Sequence, residues 1–504
     1  MRFRLLLLIS IRGIFAQRPT LSLDEITTTT SSSISYSIPE NDHNPLSLTF
    51  ALCSSSSNTP RILITNTGNG DSLPDTDENS HEVTFEHGLA TFSSYFMHGG
   101  ILTIDNLSGS IEIGLSSSTP IHQMNVSLPV LGDTTSSQAI LFSYPVIPFS
   151  TKYPFNLDSV PSFPNYTFPA ANMSQPPLPQ DAPRNNVSLV ILPTSSSSNF
   201  PQTGCYLSSQ PSIGNVSSTL WARDSSGFRF QYFISRLSPQ TNYTAFLIES
   251  SPTKRSTSGP VYFTTKSSSF PCTLAHSLPF CPSIAYSIPL DPPPASSSSN
   301  FSSYTSQNLP STITTPLLSY LANFTTVLST FPCGREVYSP IVTCSDCELE
   351  YRKWLCSISF PRCAESPPSL APSWSPAPPN PLATGLPLPN PLSPQHSFPV
   401  PALLPLPPST PARNPFFPAN ISQSSGTTYT LLPCIEQCYA VDRSCPPFLK
   451  FRCPSARFNA AFSYALGYID KIEPDGRHGG TKGKGKGHTG ESQDRWGNVW
   501  CLML

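Results

Sequence analysis

The sequence predicts an α+β multidomain protein. A β-rich, sandwich-like N-terminal region is followed by a disulfide-rich, mainly helical C-terminal domain. Three observations carry this expectation. Short apolar or alternating runs recur through the first 290 residues (LSLTFALC, RILITN, ILTID, IEIGL, VSLVIL), separated by Gly, Asn, Pro and Ser, as in stacked antiparallel strands. The 14 cysteines are even in number, and most cluster between 333 and 453. The chain also opens on a secretory segment, which places those cysteines in an oxidising compartment.

Residues 1–16, MRFRLLLLISIRGIFA, read as a signal peptide. Arg2 and Arg4 give the positive end, Leu5 to Ile11 the apolar run, and Ala16 the small residue before the cut. No later apolar run approaches the roughly 20 residues needed to cross a bilayer. The expected location is the secretory pathway and the extracellular face of the plasma membrane, the endoplasmic reticulum included. Asn-x-Ser/Thr triplets begin at Asn106, Asn125, Asn165, Asn172, Asn186, Asn215, Asn242, Asn300, Asn323 and Asn420. They are candidate glycan acceptors on that route. Charged residues make up 12% and the net charge is −2, which argues against a nucleic-acid binder with its basic face.

Residues 17–200 are expected to be β-rich with Ser-rich loops. Within them GLATFSSYFMHGGILTID reads as two strands around a His-Gly-Gly turn. Residues 201–290 form a second β-rich segment. FRFQYFISRL and YTAFLIES suit paired strands about the turn SPQTN, and VYFTTKS adds another. Cys272 and Cys281, nine apart, suit a local loop bridge. Residues 291–332 read as a Ser/Asn-rich linker. Residues 333–363 and 419–504 form the cysteine-rich domain. Between them, 364–418 hold 19 Pro in 55 residues, the composition of a disordered insert.

The stretch CSDCELEYRKWLCSISFPRC, 344–363, decides what the cysteines do. On a helix, Cys344, Cys347, Tyr351, Trp354, Leu355 and Ile358 share one stripe. Glu348 faces Arg352 at i,i+4, which places both on the wet side. Cys356 points the opposite way, toward another partner, and Pro361 ends the helix. In LLPCIEQCYAVDRSCPPFLKFRC, Cys434, Cys438, Val441 and Cys445 share a face between Pro433 and Pro446–Pro447. Cys344-x-x-Cys347 also has zinc-ligand spacing, but the secretory segment and the sequons favour bridges. The disulfide candidates are Cys272, Cys281, Cys333, Cys344, Cys347, Cys356, Cys363, Cys434, Cys438, Cys445, Cys453 and Cys501.

Nothing points to catalysis, a cofactor or a resident metal. HExxH, GxSxG and HxxEH are absent. His81, His87 and His98 read as surface or turn residues with no nucleophile beside them. Asp71, Asp75, Asp77 and Glu78 read as a solvated acidic turn. The run from Gly480 to Lys486 lacks the Ser/Thr of a phosphate loop. Cys501-Leu-Met-Leu has the form of a prenylation box, a cytosolic modification at odds with export.

The two cysteine blocks, together with FRFQYFISRLSPQTNYTAFLIE, VYFTTKSSSFPCTLAHSLPFCPSIAYSIPL and the closing RWGNVWC, resemble one family. It is the fungal stretch-activated calcium-channel regulatory subunits, named for mating-pheromone-induced death. The resemblance covers roughly 200–363 and 430–504, and 40–110 more loosely. The Pro-rich 364–418 and the basic run 479–490 depart from it, and the chain stops sooner after Cys501 than the family leads one to expect. Membership implies a non-catalytic extracellular glycoprotein that partners a large four-repeat calcium-channel pore subunit, is held at the membrane through it, and supports calcium influx. It also implies a frizzled-like fold for the cysteine-rich domain. Arg352, Lys353 and Arg362 are the partner-contact candidates. The alternative is a secreted frizzled-like ligand-binding or wall-associated glycoprotein with no channel partner.

Overall fold

The computed structural model describes residues 18–55, 59–66, 80–149, 174–176, 178, 186–196, 200–251, 253–293, 303–331, 338–364, 403–406, 428–454, 464 and 501–504. The signal segment, the 71–78 acidic turn, the 480–486 run and most of the Pro-rich insert lie outside them. The chain divides into two compact units. One is Met1–Asn125 with Asn199–Pro211 and Ile248–Thr257; the other is Val126–Ser198, Ser212–Leu247 and Ser258–Leu504. The boundaries are therefore discontinuous, where the sequence suggested successive regions.

The first unit is a sandwich. Its strands are β1 (Glu25–Thr29), β2 (Ser33–Ile38), β3 (Asn41–Leu52), β4 (Arg61–Thr65), β5 (Ser80–Val83), β6 (Leu89–Phe96), β7 (Gly100–Asp105), β8 (Ile111–Ser116) and β9 (His122–Asn125). Two antiparallel sheets form, in the orders β1-β8-β3-β6 and β2-β7-β4-β5. Alternation places Leu46, Leu48 and Phe50 beside Ile111, Ile113 and Leu115 on one inner face. Ile62, Ile64, Leu102 and Ile104 line the other, and all share one core. β6 and β7 exist as expected but belong to different sheets. Gly99 sits at φ +72°, and a Cβ on Gly100 would stand 2.5 Å from the Thr65 carbonyl oxygen. Only glycines let the chain cross between sheets here instead of folding back as a hairpin.

Cys53 bridges to Cys205 on the short helix α1 (Gly204–Ser209), 152 residues away. Behind β8, Glu112 is buried, with Arg255 Nη1 at 2.5 Å and His122 Nε2 at 3.2 Å; Thr49 Oγ1 lies 2.9 Å from His122 Nδ1. These groups satisfy one another inside the unit. Glu112 also lies near the Cys53 and Cys205 sulfurs, but disulfide sulfur is not the thiolate a metal needs. His81, His87 and His98 are exposed.

The second unit begins with β10 (Val130–Thr134), β11 (Gln138–Phe142), β12 (Ile147–Pro148), β13 (Asn186–Pro193), β14 (Asn215–Asp224) and β15 (Gly227–Ser235), and includes residues 242–247 of β16 (Asn242–Ser251) and 258–264 of β17 (Lys254–Thr264). β15 is central to one sheet, paired with β11, β12 and β14. β16 lies between β13 and β17 in another. FRFQYFISRL and YTAFLIES are thus not partners, contrary to expectation. β15 lies between β14 on one side and β11 and β12 on the other, and Tyr232, Ile234, Tyr243, Ala245 and Phe263 join the two sheets in one core.

β18 (Thr273–Ala275) and β19 (Tyr286–Ile288) pair as a small ladder. His276 follows β18 and is 8% exposed. Gln231 Nε2, a donor, lies 3.3 Å from its Nδ1, so Nδ1 accepts and Nε2–H reaches Ser303 Oγ at 3.1 Å. Burial pushes this imidazole down from its ordinary 6.5 to about 4. The unfolded chain therefore takes the proton first. Stability contributed by neutral His276 is complete above pH 6.5 and is lost as pH falls toward 4. The full swing is worth about 3 kcal/mol. His276→Gln is expected to flatten the dependence of the melting temperature on pH across that window; curves parallel to the parent's would show that the site tolerates the charge.

Residues 291–332 are not merely a linker. Ser311–Leu328 form helix α2, with Ile313, Leu317, Leu321, Thr325 and Leu328 buried at three- and four-residue steps. α3 (Cys344–Ser359) and α4 (Ile435–Ser444) fall where the cysteine stripes placed them. Three short strands complete the domain: β20 (Cys363–Ala364), β21 (Leu403–Leu406) and β22 (Thr428–Leu431), in the order β20-β22-β21. Part of the Pro-rich insert is therefore structured. Pro405 is tolerated because, among the described residues, β21 pairs on one side alone.

Candidate functional site: the stapled helices

α3 is the axis of this domain. Thr343 caps it through Oγ1, which accepts from Asp346 N at 3.2 Å, while the Asp346 carboxylate accepts from Thr343 N at 2.9 Å. Every residue from Cys344 to Ser359 is buried or half-buried, so α3 has no wet side. Leu355, Cys356 and Phe360 pack with Ile313, Leu317 and Leu321 of α2 and with Ala275, Tyr286 and Ile288 of the β18–β19 ladder. Cys344 and Cys347 pack with Leu328, Val441 and Cys445. Tyr351 and Trp354 are half-buried and pack against both clusters. Phe324 stacks on Tyr351 at 3.5 Å, Phe451 meets Trp354 edge-on at 5.0 Å, and Trp354 Nε1 donates to the Tyr464 hydroxyl at 2.9 Å.

Bridges radiate from this axis. Cys347 joins Cys445, at the end of α4. Cys356, on the other side of α3, joins Cys281. Cys363 joins Cys272, Cys434 joins Cys501, and Cys438 joins Cys453. Cys344 is also disulfide-bonded; Cys333 lies outside the described residues. The local Cys272–Cys281 bridge is overturned: Cys272 reaches 91 residues on and Cys281 75, because the β18–β19 segment packs against α3. Cys434, Glu436 and Cys501 come close together, but the two sulfurs bond each other, which leaves Glu436 without thiolate co-ligands. The same bond uses the Cys501 sulfur that a prenyl group would need.

Two of the three contact candidates are corrected. Arg352 and Glu348 are each 2% exposed in their side chains, with Arg352 Nη2 and Nε at 2.5 and 3.1 Å from Glu348 Oε1. The i,i+4 pair is as read, but it is enclosed. Arg362 is buried as well. Its Nη2 lies 3.2 Å from Asp133 Oδ1 and donates to the Gly132 carbonyl oxygen at 3.0 Å. Ser287 donates to Asp133 Oδ2 through N and Oγ at 3.0 and 2.7 Å. Burial raises the Asp133 carboxyl, but the charges of Arg362 and Lys266 and the Ser287 bonds outweigh it and hold the group below its ordinary range. Arg362 is thus a fastener between β10, β19 and the cysteine-rich segment. Lys353 is half-buried and pairs with Glu350 at 2.8 Å. The Glu350 carboxylate also accepts from Gln437 Nε2 of α4 at 3.2 Å.

The sequence reading missed Cys53 and Cys205; an even count of 14 was the sole signal for them. Of the sequons, Asn106, Asn215, Asn242 and Asn323 are exposed and Asn125 is half-buried. Asn186 starts β13, its side chain outside the described set, and Asn165, Asn172, Asn300 and Asn420 lie outside it altogether. The described residues include no helix long and apolar enough to cross a membrane.

Residues 27–475 match the model of the family described as Mid1, stretch-activated Ca2+-permeable channel component. The chain belongs to the Mid1 family. Relatives carry the same stamp. A protein of Cryptococcus neoformans named stretch-activated cation channel MID1 is 34% identical over 78% of this chain and 62% of its own length. The Schizosaccharomyces pombe stretch-activated cation channel yam8 is 28% identical over 53% of this chain and 47% of its own. Its Saccharomyces cerevisiae counterpart, named MID1, is 27% identical over 44% and 35%. This chain therefore spans less than two thirds of the length of the relatives it matches. Among solved structures, a purple acid phosphatase from yellow lupin overlays 51% of this chain and 42% of its own at 8% identity and a TM-score of 0.15, too low to carry any argument. The Mid1 match includes the sandwich, α2, α3 and α4; Cys501 stands beyond it.

Proposed function

We propose that this chain is a non-catalytic regulatory subunit of a calcium-permeable, stretch-activated channel. It works at the extracellular face of the plasma membrane and docks on the large four-repeat pore subunit to support calcium influx. The observation that carries the reading is the helical domain, held by bridges on opposite sides of α3, in a chain of the Mid1 family. Such a surface is ordered before it binds, so docking costs less entropy. Since α3 is enclosed, the contact falls to the exposed sides of α2 and α4. Exposed sequons fit an exported, glycosylated chain. The ligand-binding alternative would need a groove beside α3; the hollow there lined by Leu349, Arg352, Cys356 and Leu504 has a volume of 20 Å³, which suits about one water.

Solubilising fungal membranes and recovering the tagged chain should bring down a multi-span cation channel. Deleting the gene should reduce calcium uptake on mating or wall stress. Recovery of the chain alone, with uptake unchanged in the deletion, would sink the proposal.

A further inference from the structure

One end of the stapled domain, where α2 stops, α3 starts and α4 runs out, holds apolar side chains in solvent. Phe448, on the turn Pro447–Leu449, is 78% exposed, Ile341, just before α3, is 84% exposed, and Val327, in the last turn of α2, is 48% exposed. The segments that carry them are fastened together. Phe331, beyond α2, stacks on Phe448 at 6.4 Å. The Tyr338 hydroxyl donates to Ser444 O at 2.6 Å and stands 2.9 Å from Thr343 O, holding the approach to α3 against the end of α4. Beneath them lie the Cys347–Cys445 bridge, Leu328 and Val441. The apolar tips are therefore mounted on a rigid base.

Basic residues flank those tips. Arg443, Lys450 and Arg452 are exposed, with the acids Asp442 and Asp346 at the same end, the latter engaged in the Thr343 cap. Among the described residues no carboxylate pairs with any of the three. Exposed Phe and Ile on a fixed support mark a surface that something covers. The charges decide what. The buried centres of protein interfaces are poor in charge, whereas apolar tips on a segment that also carries cations unpaired with any described carboxylate match a bilayer surface, where rings enter the headgroup boundary and cations meet phosphates.

We propose that this end of the domain is a peripheral membrane contact. It seats Phe448 and Ile341 in the headgroup layer of an anionic phospholipid bilayer, with Arg443, Lys450 and Arg452 on the phosphates. This goes beyond channel docking: it holds the chain at the membrane without a protein partner.

The test is co-sedimentation of the full secreted chain with vesicles of phosphatidylcholine alone or mixed with phosphatidylserine, with no channel present. The parent should bind the anionic vesicles, and rising salt should release it. Replacing the three cations by Gln should weaken partitioning about 100-fold. Phe448→Ser with Ile341→Ser should weaken it about tenfold. All these side chains are exposed, so the melting temperatures should stay at the parent value, and the salt series needs no variant. No binding by the parent, equal binding to neutral and anionic vesicles, or variants that bind like the parent would each overturn the proposal. If the parent ignores vesicles while the Phe448 variant loses the channel in co-purification, the surface is a protein contact instead.

Discussion

Cys356→Ala should lower the stability of the folded chain by about 2–5 kcal/mol, the usual cost of removing a native bridge from a small disulfide-rich domain. Cys356 ties α3 to Cys281 in the loop before β19, closing a separation of 75 residues. Both sulfurs sit in the core shared by α2, α3 and the β18–β19 ladder. The free Cys281 left behind is a small apolar group in an apolar site, so the loss comes from chain entropy and not from desolvation. Domains hold only about 5–15 kcal/mol in all, and quality control in the secretory pathway acts on such deficits. If the chain is exported and supports calcium influx as proposed, the expected result is retention with immature glycans, less calcium uptake, and a lower melting temperature for whatever escapes. Cys281→Ala should match it, and the double variant should be no worse than either, because one bond is lost in each case. A Cys356→Ala protein that matures and melts like the parent would show that this bridge does not hold α3 in place.

What the sequence disclosed divides along a physical line. Local periodicity was legible. β4, β7, β8 and β13 coincide to within a residue with the runs that predicted them, and β3 ends within a residue of its run but begins five residues earlier; α3 and α4 follow from cysteines at three- and four-residue steps. Long-range pairing was not legible. FRFQYFISRL is a strand whichever neighbour it takes, and its choice of β14 over β16 depends on how the two sheets face each other. Cys281 has a near candidate in Cys272 and a distant partner in Cys356; loop closure costs grow too slowly with length to choose between them. The fold chose by laying the β18–β19 ladder on α3.

α2 is a different kind of miss. Ile313, Leu317, Leu321 and Leu328 mark a helical stripe, but Ser, Thr and Asn fill the other positions and Pro316 lies inside the first turns. Composition spoke for a linker, and the stripe was the better guide, because tertiary burial of one face outweighs weak helix propensity. The buried histidines had no signal at all. His122 and His276 differ from His81, His87 and His98 only in what packs on them, and that is supplied by residues far along the chain.

Arg352→Glu should be severely destabilising, although the helical wheel alone placed Arg352 in water. A wheel gives relative direction, not depth. Here α2, α4 and the β18–β19 ladder cover α3 on all sides, and Arg352 and Glu348 face each other at 2% side-chain exposure apiece. Reversing the charge would set two carboxylates one turn apart in a site closed to water. Breaking a buried pair typically costs about 3–5 kcal/mol, and like charges add to it. Lys353→Glu, at the next residue, should behave otherwise. Lys353 and Glu350 retain 25% and 20% exposure, and partly solvated pairs are worth up to about 1 kcal/mol. Arg352→Met should also lose stability, because Glu348 would be left charged and enclosed. Adding Glu348→Gln should recover most of that loss, since replacing both members of a buried pair is far milder than removing one. Melting temperatures of these four variants separate the cases, and adding Glu348→Gln alone closes the double-mutant cycle for the pair. If Arg352→Glu melts with the parent, the pair stands at the surface and α3 regains its wet face as a docking candidate. If Arg352→Glu fails while Lys353→Glu folds and still brings down the channel, α3 is structural and the contact lies on the helices around it.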